Sequence, residues 1–137
     1  MGYRIAGTGV FALATDMGSV TEEIRAGLLG ADAVIIEANH DVEMLRSGPY
    51  PFPLKKRIFS DHGHLSNDDC AALAALLEEH GTRYMILGHL SRENNTPARA
   101  LETVRTALKS RDTVLMTAPP DRPLTLTLTA EETLCSR

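Results

Sequence analysis

Cysteine is scarce: only Cys70 and Cys135 occur, 65 positions apart and without paired spacing, which excludes a disulfide framework and a zinc knuckle. Proline and glycine, at 7 and 10 of 137 residues, are too few for a disordered or fibrous chain. No uncharged run approaches the ~20 apolar residues that cross a bilayer. No sustained apolar segment follows Arg4, so no secretory leader is expected and the chain reads as cytoplasmic, without a membrane partner. Excess positive charge is lacking too. With 14 Lys and Arg against 18 Asp and Glu, the net charge of −4 excludes coating nucleic acid by bulk charge but leaves room for a local phosphate pocket. What is present, 43% apolar and 23% charged residues, fits one soluble domain.

Residues 10–15 form an apolar run that reads as a buried strand, and it stops at Asp16 beside Gly18. Ser19 and Glu22 have capping-box spacing, so a helix is expected from Ser19 until Gly30 stops it. Residues 33–36 are a second strand, with Glu37, Asn39, His40 and Asp41 at its exit. A helical turn or two around Met44 and Leu45 precedes residues 48–53, where three prolines predict an extended loop. In the Lys55-Lys-Arg57 cluster, a solvated helix face is favoured over a nucleic-acid contact.

A helix from Asn67 buries Cys70, Leu73, Ala74 and Leu77, and His80 complements the free carbonyls of its last turn. Residues 84–87 are a third strand, and Thr96-Pro97 opens a helix that buries Leu101, Val104 and Leu108. Residues 114–117 form a fourth strand. The strict alternation over residues 124–128 suggests a half-exposed edge strand. Strands alternating with helices predict an α/β layered domain, with polar groups gathered where strands end.

Three features stand out chemically: Asp16 after the first strand, His62-Gly-His64 in a loop, and His89 after the third strand. Singly, an Asp at a strand end is usually a turn former and a His a hydrogen-bonded structural group. Together at one rim they would make a ligand set for Zn²⁺ or Mn²⁺.

The motifs Ala14-Thr-Asp16-Met-Gly18, Glu37-Ala-Asn-His40-Asp41, Ser60-Asp-His-Gly-His64-Leu-Ser-Asn67 and Leu87-Gly-His89-Leu-Ser-Arg-Glu-Asn-Asn95 resemble, in order, the C-terminal half of a metallo-β-lactamase-fold hydrolase. The likeness is to the YycJ/WalJ type, metal-dependent phosphodiesterases described as DNA exonucleases, with a ribonuclease Z-like layout. The resemblance implies half of an αββα sandwich, a mainly β sheet covered by helices on one face. It makes Asp16 the carboxylate bridging two metal ions and His89 the last metal ligand. It also places His64 over the scissile phosphate, where it would stabilise the phosphorane oxygen or protonate the leaving group, with Glu37 orienting it. Arg92, Asn94 and Asn95 would contact substrate phosphate or shape the rim. The chemistry implied is in-line attack on phosphorus by water activated on zinc or manganese.

The His-x-His-x-Asp-His signature of the family's other half does not occur in this sequence. Residues 1–137 are therefore expected to form a single partial domain, with a disordered tail over residues 130–137. A catalytic zinc usually takes three protein ligands; beyond Asp16 and His89 the substitutes are His40, Asp61, His62 and His64, so metal binding by the chain alone is expected to be weak or absent. Two function classes follow. One is a metal-dependent hydrolase of nucleic acid or another phosphodiester, completed by an N-terminal half-domain. The other is an inactive interaction module that self-associates, for example as a homodimer, or pairs with such a half. For the chain alone, inactivity is favoured.

Overall fold

The computed structural model describes residues 2–128; the tail expected to be disordered, and Cys135 within it, lie outside them. In chain order the elements are β1 (Gly2–Ala6), β2 (Val10–Ala14), α1 (Glu22–Leu28), β3 (Ala33–Glu37), α2 (Val42–Ser47), α3 (Phe52–Phe59), α4 (Asn67–Glu79), β4 (Tyr84–Gly88), α5 (Pro97–Ala107) and β5 (Val114–Thr117). The sheet runs β1-β2-β3-β4-β5, with β1 antiparallel to β2 and the other neighbours parallel.

Strands that follow one another in parallel across a sheet, joined by right-handed crossovers, put their connecting helices on one face. The burial pattern agrees. Ala12, Ala14, Val34, Ile36, Met85 and Leu87 point into a core shared with Leu28 of α1, Leu73 and Leu77 of α4, and Val104 of α5. Alternation sends Tyr3, Ile5, Phe11, Leu13, Ile35, Tyr84, Val114 and Met116 to the opposite face. Tyr3 and Ile5 are exposed there and the other six are only half-buried, while Ile86, beside Ile35 on the same face, is buried. This is the expected α/β sheet with helices on one face, and the apolar character of its other face suits half of a two-layer sandwich.

Four local expectations are corrected. β1 is an additional strand: Arg4 lies on its helix side, and its guanidinium donates to the carbonyls of Gly27 (2.8 Å) and Leu29 (3.0 Å) at the end of α1. Helix α1 is capped by Thr21, whose Oγ1 accepts from Ile24 N (3.2 Å), so Ser19 lies before the cap and Glu22 pairs with Arg25 instead. The segment read as loop through residue 53 turns helical at Phe52, because Pro51 at the cap and Pro53 in the first turn sit where a missing N–H costs nothing. Residues 124–128 alternate in hydropathy but form no strand.

The C-terminal rim of the parallel strands is tied by side-chain amides. Asn67, at the start of α4, and Asn95, before α5, are both buried and exchange reciprocal amide hydrogen bonds of 2.9 Å. Asn95 also donates to Ala38 O (2.9 Å) and accepts from Thr96 N (2.9 Å). Asn95→Ala is expected to lower the unfolding free energy by about 1–3 kcal/mol in urea titrations, because Asn67 and Ala38 are left with unmet buried groups. The double variant with Asn67→Ala is expected to lose less than the sum of the two single losses.

Candidate metal and phosphodiester site

The exit of β3 organises the rim. Beyond Glu37 the chain continues extended, and on one side Asn39 N donates to Leu65 O (2.9 Å) while Asn67 N donates to His40 O (2.8 Å). His40 and Ser66 make a parallel bridge there. On the other side Ala38 N donates to Gly88 O (3.0 Å), Ser91 N to Asn39 O (2.7 Å), and the Asn39 amide to His89 O (2.9 Å). Segments 27 and 52 residues from Glu37 are thereby fixed against it.

Asp16, Glu37, His64 and His89 come together at this rim, each with a ligand atom within 4.8 Å of the others. Glu37 is 0% exposed, the most deeply placed of the four. Its Oε2 accepts from the backbone amides of Leu65 (2.9 Å) and Met17 (3.3 Å). Its Oε1 faces His64 Nδ1 at 3.1 Å and is also hydrogen-bonded to His89 Nδ1. A carboxylate only accepts, and four donors occupy its four lone-pair directions. Glu37 has no direction left for a metal ion. Both rings turn Nδ1 toward it and leave Nε2 for other partners, the carboxylate–histidine arrangement that orients metal-binding imidazoles.

Asp16 and His89 are the only non-glycine residues with positive φ among those described, at 54° and 59°. Such backbones cost about 1–3 kcal/mol each and collect at functional sites. Asp16 Oδ1 lies 3.7 Å from His89 Nε2. That is too long for a hydrogen bond, yet it fits two donors each about 2.0–2.2 Å from one ion. The Asp16 side chain is 59% exposed and makes no hydrogen bond among the described residues, so the donor chemistry suits a divalent cation.

The loop bearing His64 is held by close backbone packing. A Cβ on Gly63 would lie 2.2 Å from Ile58 O, and one on Gly18 would lie 2.1 Å from Asp61 O. Gly63 is required for that approach. A cavity of about 590 Å³ opens over Asp16, His64 and His89, with His62 and Asn39 at its wall. Leu54, Arg57 and Ile58 of α3 also line it, as do Tyr50, Leu90 and Ser91. The sequence offers Arg57 only within a cluster read as a solvated helix face, and gives no signal for Tyr50, Leu54, Ile58 or Leu90 as lining residues.

The other expected residues lie outside the four-residue group, His62 at the cavity wall. His40 is buried outside the four-residue group, its Nδ1 3.3 Å from Asn39 Oδ1 and its ring edge-on to Phe59 at 5.7 Å. Asp61 and His62 are exposed loop residues outside the group. Asn94 and Asn95 are buried beneath the rim, so of their two expected roles burial speaks against phosphate contact and leaves the shaping of the rim; Asn94 accepts from Asp41 N through its carbonyl (2.9 Å). Arg92 is exposed and does not line the cavity.

No protein-family model matches the chain. Among curated proteins, it is 42% identical over 100 residues to exodeoxyribonuclease YycJ of Bacillus anthracis, covering 73% of this chain and 38% of that protein. It is 46% identical over 102 residues to exodeoxyribonuclease WalJ of Streptococcus pneumoniae serotype 2, covering 74% of this chain and 38% of that protein. The chain thus spans well under half the length of the curated relatives it matches.

Burial lowers the His40 pKa from its ordinary 6.5, and nearby His64 pushes the same way, against the weaker opposing pull of Glu37, Asp69 and Asp41. The unfolded chain therefore takes up this proton at higher pH than the folded one. Stability is expected to be full above about pH 6.5 and to fall as the pH drops from there toward the folded pKa. Urea midpoints measured from pH 7.5 to 5.5 are expected to decline less in His40→Gln than in the parent; parallel declines would remove His40 from the account.

Proposed function

We propose that this chain, a partial YycJ/WalJ-type protein of the metallo-β-lactamase fold, provides one side of the active site of a metal-dependent phosphodiesterase acting on nucleic acid. The observation that carries the reading is the division of labour around Glu37. One buried carboxylate holds two imidazoles by Nδ1, and of those two rings only His89 presents Nε2 to an exposed carboxylate, Asp16. Asp16 and His89 would hold divalent metal, zinc or manganese. When bound, such ions activate water and offset charge on the phosphodiester.

His64 is held in the same way but serves the proton. With Nδ1 fixed on Glu37, the ring is oriented in the wall of the cavity, where its Nε2 would pass a proton to a leaving alkoxide. Arg57, the one cation among the cavity-lining residues, is suited to a phosphate oxygen, whereas Arg92 would serve only at the outer rim.

Two firm ligands are fewer than the three that a catalytic zinc usually takes. The half-exposed apolar face bearing Tyr3, Ile5, Phe11 and Leu13 favours completion of the site by a second half-domain over action of the chain alone. A homodimer would cover the same face without supplying the missing histidines, and in that state the chain is a binding module.

The reading is tested by metal retention. Asp16→Ala and His89→Ala are each expected to weaken Zn²⁺ or Mn²⁺ binding, measured by calorimetry, by at least tenfold. His64→Ala is expected to leave binding intact while lowering phosphodiester hydrolysis by about 10²–10⁴-fold. Equal metal loss in all three variants would overturn the separation of ligand from proton donor.

A further inference from the structure

Two of the three phenylalanines in the chain stand on α3 and face outward. Phe52 is 75% exposed and Phe59 45%. Between them run Lys55, Lys56 and Arg57, and α3 contains no acidic residue although the whole chain carries a net charge of −4. At 3.6 residues per turn, positions 52, 55, 56 and 59 fall on one stripe. Those side chains, with Arg46 and Ser60, line a groove of about 560 Å³. Leu54, Arg57 and Ile58, also on α3, line the cavity over His64. One short helix thus borders both the outer groove and the candidate site.

The cations differ in their engagements. Arg46 pairs with Glu43 at 2.8 Å, and Lys55 Nζ donates to Arg46 O (2.8 Å). Lys56 and Arg57 make no ion pair among the described residues. Phe59 packs edge-on to His40 and keeps its remaining surface open, whereas Phe52 is open almost all round.

We propose that α3 is a platform for single-stranded nucleic acid, with bases stacking on Phe52 and Phe59 and phosphates meeting Lys56 and Arg57, so that a strand lying on it leads into the His64 cavity. The proposal rests on the phosphodiesterase reading and specifies the form of its substrate. Seven residues of helix separate the two rings by about 10 Å, close to three stacked nucleotide steps of about 3.4 Å. Base faces are open to such rings only in a single strand. A membrane-surface helix would segregate its rings from its cations, whereas on this stripe two lysines lie between the two rings, so that both kinds of contact are offered on one face.

The test is fluorescence anisotropy with a fluorescein-labelled twelve-residue oligothymidylate in EDTA, where neither metal binding nor hydrolysis contributes. Phe52→Ala, at a position with almost no packing to lose, is expected to weaken binding about tenfold. Phe59→Leu, which keeps an apolar contact with His40, is expected to weaken it comparably. Lys56→Ala is expected to flatten the plot of log affinity against log salt by about 0.7. A duplex of equal length should bind more weakly than the single strand. Unchanged affinity in both Phe variants, or equal binding of duplex and single strand, would overturn the proposal. Binding of phosphatidylserine vesicles that is lost in the Phe variants while oligothymidylate binding persists would also overturn it, by assigning the helix to a membrane surface. Failure of metal retention at Asp16 and His89 would leave these binding results untouched, so the two readings fail separately.

Discussion

The rim is built around a buried negative charge. A carboxylate removed from water costs several kcal/mol unless its lone pairs are satisfied, and Glu37 meets that demand with donors from three other parts of the chain. These are the turn after β2 through Met17 N, the loop before α4 through Leu65 N and His64, and the loop after β4 through His89. Withdrawing any one donor leaves part of the charge unmet. The folded position of each loop is therefore coupled to the others through a single side chain, which is how residues up to 73 positions apart hold a common geometry without sharing an element.

The same charge accounts for the two strained backbones. Asp16 and His89 each follow directly on a parallel strand or its adjoining residue, where an ordinary extended conformation would carry the side chain along the strand direction. Their positive φ values turn the chain sharply at the rim. Met17 N and His89 Nδ1 can then both reach Glu37, and Asp16 Oδ1 comes to face His89 Nε2. The local cost is offset by the donors delivered to the buried carboxylate.

Much of this was legible in sequence because it depends on periodicity and on polar groups at strand exits. Strands β2 to β5, the Thr96 cap, the α4 stripe and the gathering of Asp16, His64 and His89 at one rim follow from such signals, whereas the place of Glu37 beside His64 came from the family resemblance. What escaped depends on partners far away in the chain. Arg4 looked like an interruption because its acceptors lie at the end of α1, more than twenty residues on. Prolines 51 and 53 looked like breakers because their effect depends on whether they start a helix or interrupt one. For Asn94 and Asn95 the sequence leaves open phosphate contact or shaping of the rim, and only the pairing with Asn67 shows that Asn95 holds the rim from beneath.

The candidate site and the half-exposed apolar face lie on the same side of the sheet. Val34 and Ile36 point toward the helices, so by alternation Glu37 follows Ala33 and Ile35 onto the side with the apolar face. Asp16 and His89 are gathered around Glu37 and so stand at the edge of that face. A second layer packed over Phe11, Leu13, Ile35 and Ile86 would end beside them. Whatever packs over the apolar surface therefore also borders Asp16 and His89, because the face that burial would draw a second layer onto adjoins the rim where those side chains stand. A chain kept soluble by masking that face with unrelated apolar groups would retain the Glu37 hub but gain no additional donor at the rim.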